Sequence, residues 1–286
     1  MFDNDPTRYK NDFVEICKLG RGGFASVFKA RNKLDEIEYA IKKIRLRGGD
    51  KVRYEKTFRE IKFLARLEHR NVIRYYSSWL EHADYPVSKR DMYSDELTLY
   101  IQMQLCQTTL QDYLDLVDPA VNRHIFRAIV EGVAYIHDQD MIHRDLKPSN
   151  IFLGMPPGLE YQRAQQLRQE QSSDSLQSRP LTARWNGGSQ HSLSLVYASP
   201  EQLARPNLGY DQKADIYSLG IIFFELYHPF STLMERHAVL RTLRRGELPP
   251  DFVSRWPKEA AFVLWLMAED PRMRPTAREI LEFDLI

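Results

Sequence analysis

The stretch that decides the fold of this chain is His143-Arg144-Asp145-Leu146-Lys147-Pro148-Ser149-Asn150. It directly follows a segment whose apolar residues, from Ile125 to Val133, have the spacing of an amphipathic helix. The order His-Arg-Asp-Leu, with Asn four positions later, arises by chance on the order of once in 10,000 chains of this size. An aspartate, a lysine and an asparagine in one short loop also offer a proton acceptor, a cation and an amide oxygen. The octet therefore predicts a site of chemistry rather than a plain polar turn.

The composition limits the class of protein. The chain has 286 residues, 43% of them hydrophobic, which allows one large domain or two closely packed lobes. The net charge of +1, from 40 basic and 39 acidic residues, argues against a nucleic-acid or polybasic membrane partner. Two distant cysteines, Cys17 and Cys106, make no disulfide framework and favour a reducing compartment. We expect a soluble cytoplasmic protein, since residues 1–12 lack the apolar core of a signal peptide and the apolar segment Ile216–Leu226 is too short for a membrane span.

Secondary-structure patterns differ between the two parts of the chain. The first part has β-prone runs and one helical pattern, Tyr54 to Glu68, whereas the chain after Cys106 is mainly helical. The predicted strands are Phe13–Leu19, Ser26–Ala30, Glu38–Ile44, Val72–Leu80 and Leu97–Gln104. Thr276-Ala277-Arg278-Glu279 is a capping box that opens the last helix. These patterns predict an α+β protein with a strand-rich lobe (1–104), a mainly helical lobe (105–286) and a cleft between them.

The segment 154–192 departs from this order. It is rich in Gln, Ser and Arg and poor in apolar residues, so we interpret it as a flexible loop with a helical stretch from Leu159 to Gln171.

A glycine-rich turn lies between the first two predicted strands, Gly20-Arg21-Gly22-Gly23-Phe24-Ala25-Ser26-Val27. Glycines allow backbone amides to approach phosphate oxygens closely, although an ordinary hairpin turn has the same composition. In Tyr39-Ala40-Ile41-Lys42, a lysine at the end of an apolar strand is placed to reach phosphates, and Glu60 on the next helix is placed to pair with it. Taken singly, Lys42 and Glu60 also fit a solvated lysine and an exposed glutamate.

Together these features resemble the eukaryotic protein kinase domain, and Lys147 resembles its serine/threonine branch. The resemblance rests on Gly20, Gly22, Lys42, Glu60, the 143–150 octet, Ser199-Pro200-Glu201, Asp215 and Arg274, in that order along the chain. It implies one kinase domain, 1–286, with a two-lobed protein-kinase-like fold. The N-lobe would be small and β-rich with one main helix, the C-lobe larger and mainly α-helical, and ATP would bind between them.

The resemblance also implies roles for individual residues. Asp145 would be the catalytic base, Lys147 a positive charge beside the transferring phosphoryl group, Lys42 the phosphate clamp with Glu60 as its orienter, and Asn150 a ligand of Mg²⁺. The implied ATP-binding residues are Leu19, Gly20, Gly22, Val27, Ala40, Lys42, Met103, Gln104 and Cys106. Asp215 would cap amides of the 143–150 loop, and Glu201 would pair with Arg274. Taken alone, the first feature also fits an ordinary helix cap and the second an ordinary salt bridge.

Three further stretches resemble the kinases that phosphorylate the α subunit of translation initiation factor 2. They are Ile101–Cys106, Ser199-Pro200-Glu201-Gln202 and Pro229–Arg236, and Asn32–Asp35 with Tyr39–Ile44 resemble the heme-regulated inhibitor branch. The implied partner is that α subunit, docked by the helix after Pro229 and its basic residues Arg236, Arg241, Arg244 and Arg245. A homodimer through the strand-rich lobe and repression of translation under stress are also implied.

The chain lacks the Asp-Phe-Gly turn whose aspartate holds the metal in this family. Between Asn150 and Asp211 the only aspartate is Asp174, which neither follows an apolar strand nor precedes Phe-Gly. Three readings stay open: a pseudokinase that does not transfer phosphate, a rescue by Asp174, or a misread segment between Gly154 and Ser192. Thr182, Ser192 and Ser194 are candidate phosphorylation sites that would pair with Arg144.

Overall fold

Two parts of the chain differ in architecture, as the alternation of sequence patterns predicts. The computed structural model describes residues 7–21, 25–46, 51–82, 97–114, 119–153, 195–204 and 209–286. These residues fall into two units, Met1–Leu105 and Cys106–Ile286. The first contains an antiparallel sheet and the second is mainly helical, so the predicted α+β class is confirmed.

The first unit is a five-stranded antiparallel sheet in the order β1-β2-β3-β5-β4. Its elements are α1 (Arg8–Asp12), β1 (Phe13–Arg21), β2 (Ala25–Asn32), β3 (Glu38–Leu46), α2 (Lys51–Leu64), β4 (Tyr75–His82) and β5 (Leu97–Gln104). All five predicted strands are present, and β5 has the predicted bounds. Helix α2 ends at Leu64, four residues before the predicted end at Glu68. Beyond Leu64 the backbone forms tighter hydrogen bonds to the third preceding residue, such as Arg66 N to Phe63 O at 2.9 Å.

One face of this sheet carries a stack of aromatic rings. Tyr9 stacks on Tyr100 at 5.0 Å, Tyr100 on Trp79 at 5.2 Å, and Trp79 on Phe13 at 5.9 Å between ring centroids. Because Tyr9 lies on α1, the short helix is fixed to the sheet by this stack. Such rings supply much of the apolar burial of a small unit.

The second unit is built around a buried helix. Its elements are β6 (Thr108–Thr109), α3 (Leu110–Tyr113), α4 (Pro119–Asp138), β7 (Phe152–Leu153), α5 (Pro200–Ala204), α6 (Lys213–Tyr227), α7 (Leu233–Leu243), α8 (Pro250–Arg255), α9 (Pro257–Leu266), α10 (Ala277–Leu281) and two 3₁₀ turns, Pro148–Asn150 and Pro271–Met273. Every residue of α6 from Ala214 to Tyr227 is buried. The close approach of α9 requires Gly220, since a Cβ there would lie 2.5 Å from Cγ of Met267.

The predicted helices of this unit are confirmed. Helix α6 contains the predicted Ile216–Leu226, and α4 contains the amphipathic segment from Ile125 to Val133. The predicted capping box opens α10: Glu279 N donates to Thr276 Oγ1 at 3.2 Å, and Thr276 N donates to Glu279 Oε2 at 2.6 Å. No helix within the described ranges is both long enough and apolar enough to cross a bilayer.

The whole segment 154–192 lies outside the described residues, so what the sequence predicts for it stays a prediction. The predicted helical stretch from Leu159 to Gln171, Asp174, Thr182, Ser192 and Ser194 all lie outside the described residues.

Candidate active site

The loop 143–150 connects α4 to β7 and is anchored by two of its own side chains. Leu146 and Pro148 are buried, and Pro148 opens the 3₁₀ turn that ends at Asn150. Asp145 lies between these anchors, with a side chain that is 56% exposed. The loop therefore holds its apolar residues in the core and presents a carboxylate at the surface of the second unit.

Asp215 fixes the backbone of this loop. Its side chain, 2% exposed, accepts hydrogen bonds from His143 N at 2.7 Å and from Arg144 N at 2.9 Å. It also lies 2.9 Å from Nε2 of His137 on α4. Arg144 has a φ of +71°, a left-handed conformation that is unfavourable for a non-glycine residue unless its surroundings enforce it. Asp215 provides that enforcement, and the prediction that it caps loop amides is confirmed.

Three candidate catalytic side chains meet within the loop. Oδ2 of Asp145 lies 3.0 Å from Nζ of Lys147 and accepts a hydrogen bond from Nδ2 of Asn150 at 2.7 Å. The same amide nitrogen donates to the carbonyl oxygen of Asp145 at 2.8 Å. Because Asn150 uses its nitrogen here, its oxygen is the atom that could ligate a cation. The arrangement holds the carboxylate of Asp145 in one orientation beside the positive charge of Lys147. A carboxylate in a fixed orientation can accept a proton, and the adjacent cation can stabilise a nearby anionic group.

Several candidate nucleotide-binding residues share one face of the sheet in the first unit. Lys42 is opposite Val27 on β2, and Ala40 is opposite Met103 on β5. Since alternate residues of a strand point to the same face, the four side chains lie together. Gly20 pairs with Val27 across the β1–β2 ladder.

The remaining candidates in this unit lie at its margins or outside the described part. Leu19 is exposed at a register shift of β1. Gln104 donates its backbone N–H to Arg74 O at 2.9 Å, so an adenine contact at Gln104 could use only its carbonyl oxygen. Glu60 lies in α2, but its side chain and Gly22 are outside the described residues, and the predicted Lys42–Glu60 pair stays a prediction.

The sequence comparisons agree with this geometry. Residues 13–286 match the family model described as "Protein kinase domain". The chain belongs to the protein kinase domain family. Its similar relatives include the eIF-2-alpha kinase GCN2 of Arabidopsis thaliana, 35% identical over 311 residues, covering 96% of this chain and 25% of the relative. Eukaryotic translation initiation factor 2-alpha kinase 2 of Schizosaccharomyces pombe is 30% identical over 424 residues, covering 98% of this chain and 66% of the relative.

A third relative is the interferon-induced, double-stranded RNA-activated protein kinase of Mus musculus, 34% identical over 285 residues, covering 96% of this chain and 51% of that protein. This kinase domain thus spans a quarter to two-thirds of the length of these three relatives. The recognition of a kinase domain similar to the initiation-factor-2 α kinases is confirmed, while the branch within that group stays a prediction.

The described part of the kinase domain supplies an incomplete set of magnesium ligands. Within the described ranges, no three His, Cys, Asp or Glu side chains lie close enough together to hold a metal ion. Asn150 offers one oxygen, whereas Mg²⁺ in such sites is bound by carboxylates as well. The family's usual second ligand is the aspartate of the Asp-Phe-Gly turn, and Asp174, the only aspartate between Asn150 and Asp211, lies outside the described residues.

The segment from Ser199 to Glu201 is fixed to the kinase core by an ion pair. Nη1 and Nη2 of the buried Arg274 donate to Oε1 and Oε2 of Glu201 at 2.7 and 3.0 Å. Burial alone would raise the pKa of Glu201, but the hydrogen bonds from Arg274 hold it below its ordinary value. The predicted pairing of Glu201 with Arg274 is confirmed.

The predicted basic docking face, formed by α7 and the residues that follow it, is wrong for two of its four arginines. Arg236 is only 7% exposed and its Nε donates to Oε1 of Glu225 at 2.6 Å. Nη1 of Arg244 donates to the carbonyl oxygens of Val196, at 2.6 Å, and Ala198. Arg241 and Arg245 remain exposed.

Glu225 explains this correction. It is a carboxylate inside the apolar helix α6, and a buried carboxylate requires a buried cation or donor beside it. That isolated glutamate was the sequence feature that could have indicated a buried arginine.

Proposed function

We propose that this kinase domain transfers the γ-phosphoryl group of ATP to a serine or threonine hydroxyl of a protein. The acceptor we propose is the α subunit of translation initiation factor 2, whose phosphorylation represses translation under stress. The observation that carries the proposal is the grouping of Asp145, Lys147 and Asn150 on a loop whose backbone Asp215 fixes. Residues 1–286 would form a single kinase domain.

Each side chain of the loop has a part in the proposed transfer. Asp145 accepts a hydrogen bond from the acceptor hydroxyl and then its proton, while the hydroxyl oxygen bonds to the γ-phosphorus and the bond to the β–γ bridging oxygen breaks. Lys147 places its ammonium beside the negative charge that is transferred. Asn150 keeps Asp145 in position with its amide nitrogen. Mg²⁺ bound with ATP would supply charge neutralisation at the phosphates.

The sheet of the first unit provides the nucleotide site in this proposal. Lys42 would contact the α- and β-phosphates with Glu60 beside it, and Leu19, Val27, Ala40 and Met103 would enclose the adenine and ribose. The backbones of Gly20 and Gly22 would cover the phosphates, and those of Gln104 and Cys106 would bind the adenine. The shared sheet face of Val27, Ala40, Lys42 and Met103 supports this assignment.

The acceptor is proposed from the names of the similar relatives, two of which are kinases of the initiation factor's α subunit. The outer side of α7 offers a contact for a protein, since Leu233 is 68% exposed and Met234 is 83% exposed. We further propose a cytoplasmic location, a homodimer, and no direct nucleic-acid or membrane partner. The two free cysteines and the near-neutral net charge support the location and the partners.

A second candidate function is a pseudokinase that binds nucleotide or a partner without transferring phosphate. The missing Asp-Phe-Gly favours it, because loss of the main anionic metal ligand removes several kcal/mol of transition-state stabilisation, a rate loss on the order of a thousandfold or more. Two other interpretations would preserve activity: a rescue by Asp174, or a misread segment 154–192. Resequencing the transcript across that segment distinguishes a misread segment from both the pseudokinase and the rescue by Asp174.

The test is a transfer assay with γ-labelled ATP and the recombinant α subunit. Wild type should label the α subunit, Asp145→Asn should lower the rate by about a thousandfold or more, and Asp140→Asn, an exposed aspartate five residues earlier, should behave as wild type. Thermal shifts with ATP, with and without Mg²⁺, complete the experiment. No labelling by wild type, together with an ATP shift that Mg²⁺ does not enlarge, would establish the pseudokinase instead.

A further inference from the structure

A buried polar cluster connects α7 to the loop that precedes α5. The cluster consists of Tyr197, Glu225 and Arg236, which we call the Arg236 node. Tyr197 OH donates to Oε2 of Glu225 at 2.6 Å, and Arg236 donates with Nε to Oε1 of Glu225 and with Nη2 to Tyr197 OH. The same Nη2 donates to Oε1 of Gln111 at 3.1 Å. The guanidinium of α7 is therefore bound to α6, to α3 and to the loop at once.

A second arginine binds the same loop from the other end of α7. Nη1 of Arg244, which follows the last residue of the helix, donates to the carbonyl oxygens of Val196 and Ala198. These two carbonyls flank Tyr197, whose own carbonyl accepts from Oγ of Ser218 at 2.8 Å. The loop 195–199 is thus fixed to both ends of α7 and to α6.

The other side of this loop reaches the candidate catalytic residues. Oε1 of Gln202 accepts from Ser199 N at 2.9 Å, and Nε2 of Gln202 lies 3.5 Å from the carbonyl oxygen of Arg144. Arg144 directly precedes Asp145. A continuous set of contacts therefore runs from α7 through the segment 195–202, which comprises this loop and the start of α5, to the residue next to the proposed base.

The outward side of α7 faces solvent with apolar side chains. Leu233 and Met234 are the first two residues of the helix, and their exposure is unusual for such large apolar groups. The helix thus presents a surface suited to a protein at its start, while Arg236 in the same turn holds the helix to the loop.

We propose that Arg236 is a positioning residue for the protein acceptor. Through the Arg236 node it holds the exposed surface of α7 in a fixed position relative to the segment 195–202, and so relative to Asp145. An acceptor protein bound on α7 would then present its hydroxyl at Asp145 in a defined geometry, as rapid transfer requires. This inference rests on the proposed protein kinase function.

The chemistry of the node favours positioning over plain stability. Well-packed apolar residues in place of a buried ion pair are often neutral or stabilising, so the pair is not needed merely to fill the core. Directional hydrogen bonds from one guanidinium to three elements specify one arrangement of those elements.

Hydrogen–deuterium exchange of the full chain tests the node without requiring activity. Arg236→Lys keeps a cation beside Glu225 but cannot make all the bonds of the guanidinium. This variant should exchange the amides of 195–204 on the order of tenfold faster, with 257–266 and 277–281 unchanged. Arg272→Met, which removes an arginine from an exposed ion pair with Asp270, is the matched control and should change neither region. Unchanged exchange in 195–204, or an equal rise in all three segments, overturns the proposal.

Kinetics of phosphate transfer supply the second readout. The KM for the initiation-factor α subunit should rise about tenfold in Arg236→Lys while the KM for ATP stays at the wild-type value. Equal rises in both KM values would mean that Arg236 acts only on the general fold and would overturn the proposal. A wild type that transfers no phosphate would show that the proposed function is wrong, whereas the exchange comparison would still decide whether the node holds the loop.

Discussion

Replacing Asp215 by asparagine should loosen the candidate catalytic loop by a calculable amount. The carboxylate accepts from the backbone amides of both His143 and Arg144, one with each oxygen. Asparagine keeps one acceptor oxygen and turns an NH₂ group toward the other amide, so one buried N–H loses its partner. That loss costs about 1–3 kcal/mol. A domain of 150–250 residues loses about 2–4 °C of Tm per kcal/mol, so we expect the Tm of Asp215→Asn to fall by about 2–12 °C.

Calorimetry of the variant beside Asp211→Asn measures this effect. Asp211 is an exposed aspartate four residues earlier, and its Oδ1 accepts from Lys213 N at 2.9 Å, a bond that asparagine can also make. The control should therefore stay within about 1 °C of wild type. A Tm of Asp215→Asn equal to that of the control would show that the loop amides do not depend on this carboxylate.

Three other predictions concern the fold of the second unit. Arg274→Met leaves Glu201 without its guanidinium and should lower the free energy of unfolding by about 3–5 kcal/mol in urea titrations; a loss below 1 kcal/mol contradicts it. Burial lowers the pKa of His143, so the free energy of unfolding should fall as the pH drops below about 6.5. Unfolding measurements between pH 7.5 and pH 5.5 should show a smaller fall in this free energy for His143→Gln than for wild type. Gly220→Ala places a methyl group against Met267 and should cost about 1–3 kcal/mol, despite alanine's better helix propensity; a rise in Tm would refute this.

The loop and its supports could be predicted because their residues are set by local rules. Asp145, Lys147 and Asn150 lie within one octet, so sequence spacing alone brings them together. Thr276 precedes a helix, where a side-chain acceptor has an obvious donor to satisfy. The capping of the loop by Asp215 was predicted from the resemblance to kinases, because the two amide donors lie 71 and 72 residues away along the chain. Glu201 and Arg274 were paired by the resemblance to kinases rather than by any local pattern.

The Arg236 node could not be predicted in the same way. Its three members are separated by 11 residues, from Glu225 to Arg236, and by 39 residues, from Tyr197 to Arg236. A cluster of arginines on a short helix indicates a solvated basic face, and only the tertiary fold shows that one of them turns inward. The end of α2 was also misplaced, because its apolar periodicity continues past the residue where the backbone tightens.

The stacking of Tyr9 has a consequence for where this domain can be cut. The match to the family model begins at residue 13, after α1 has ended. A recombinant fragment started there would remove Tyr9 and leave the ring faces of Tyr100 and Trp79 open to water. Oε1 of Glu81 would lose the backbone donor of Tyr9, at 2.7 Å, and keep only the indole of Trp79. Expression plasmids for the isolated first unit should therefore retain at least Thr7 to Asp12, since a shorter protein would expose these apolar rings and be prone to aggregation.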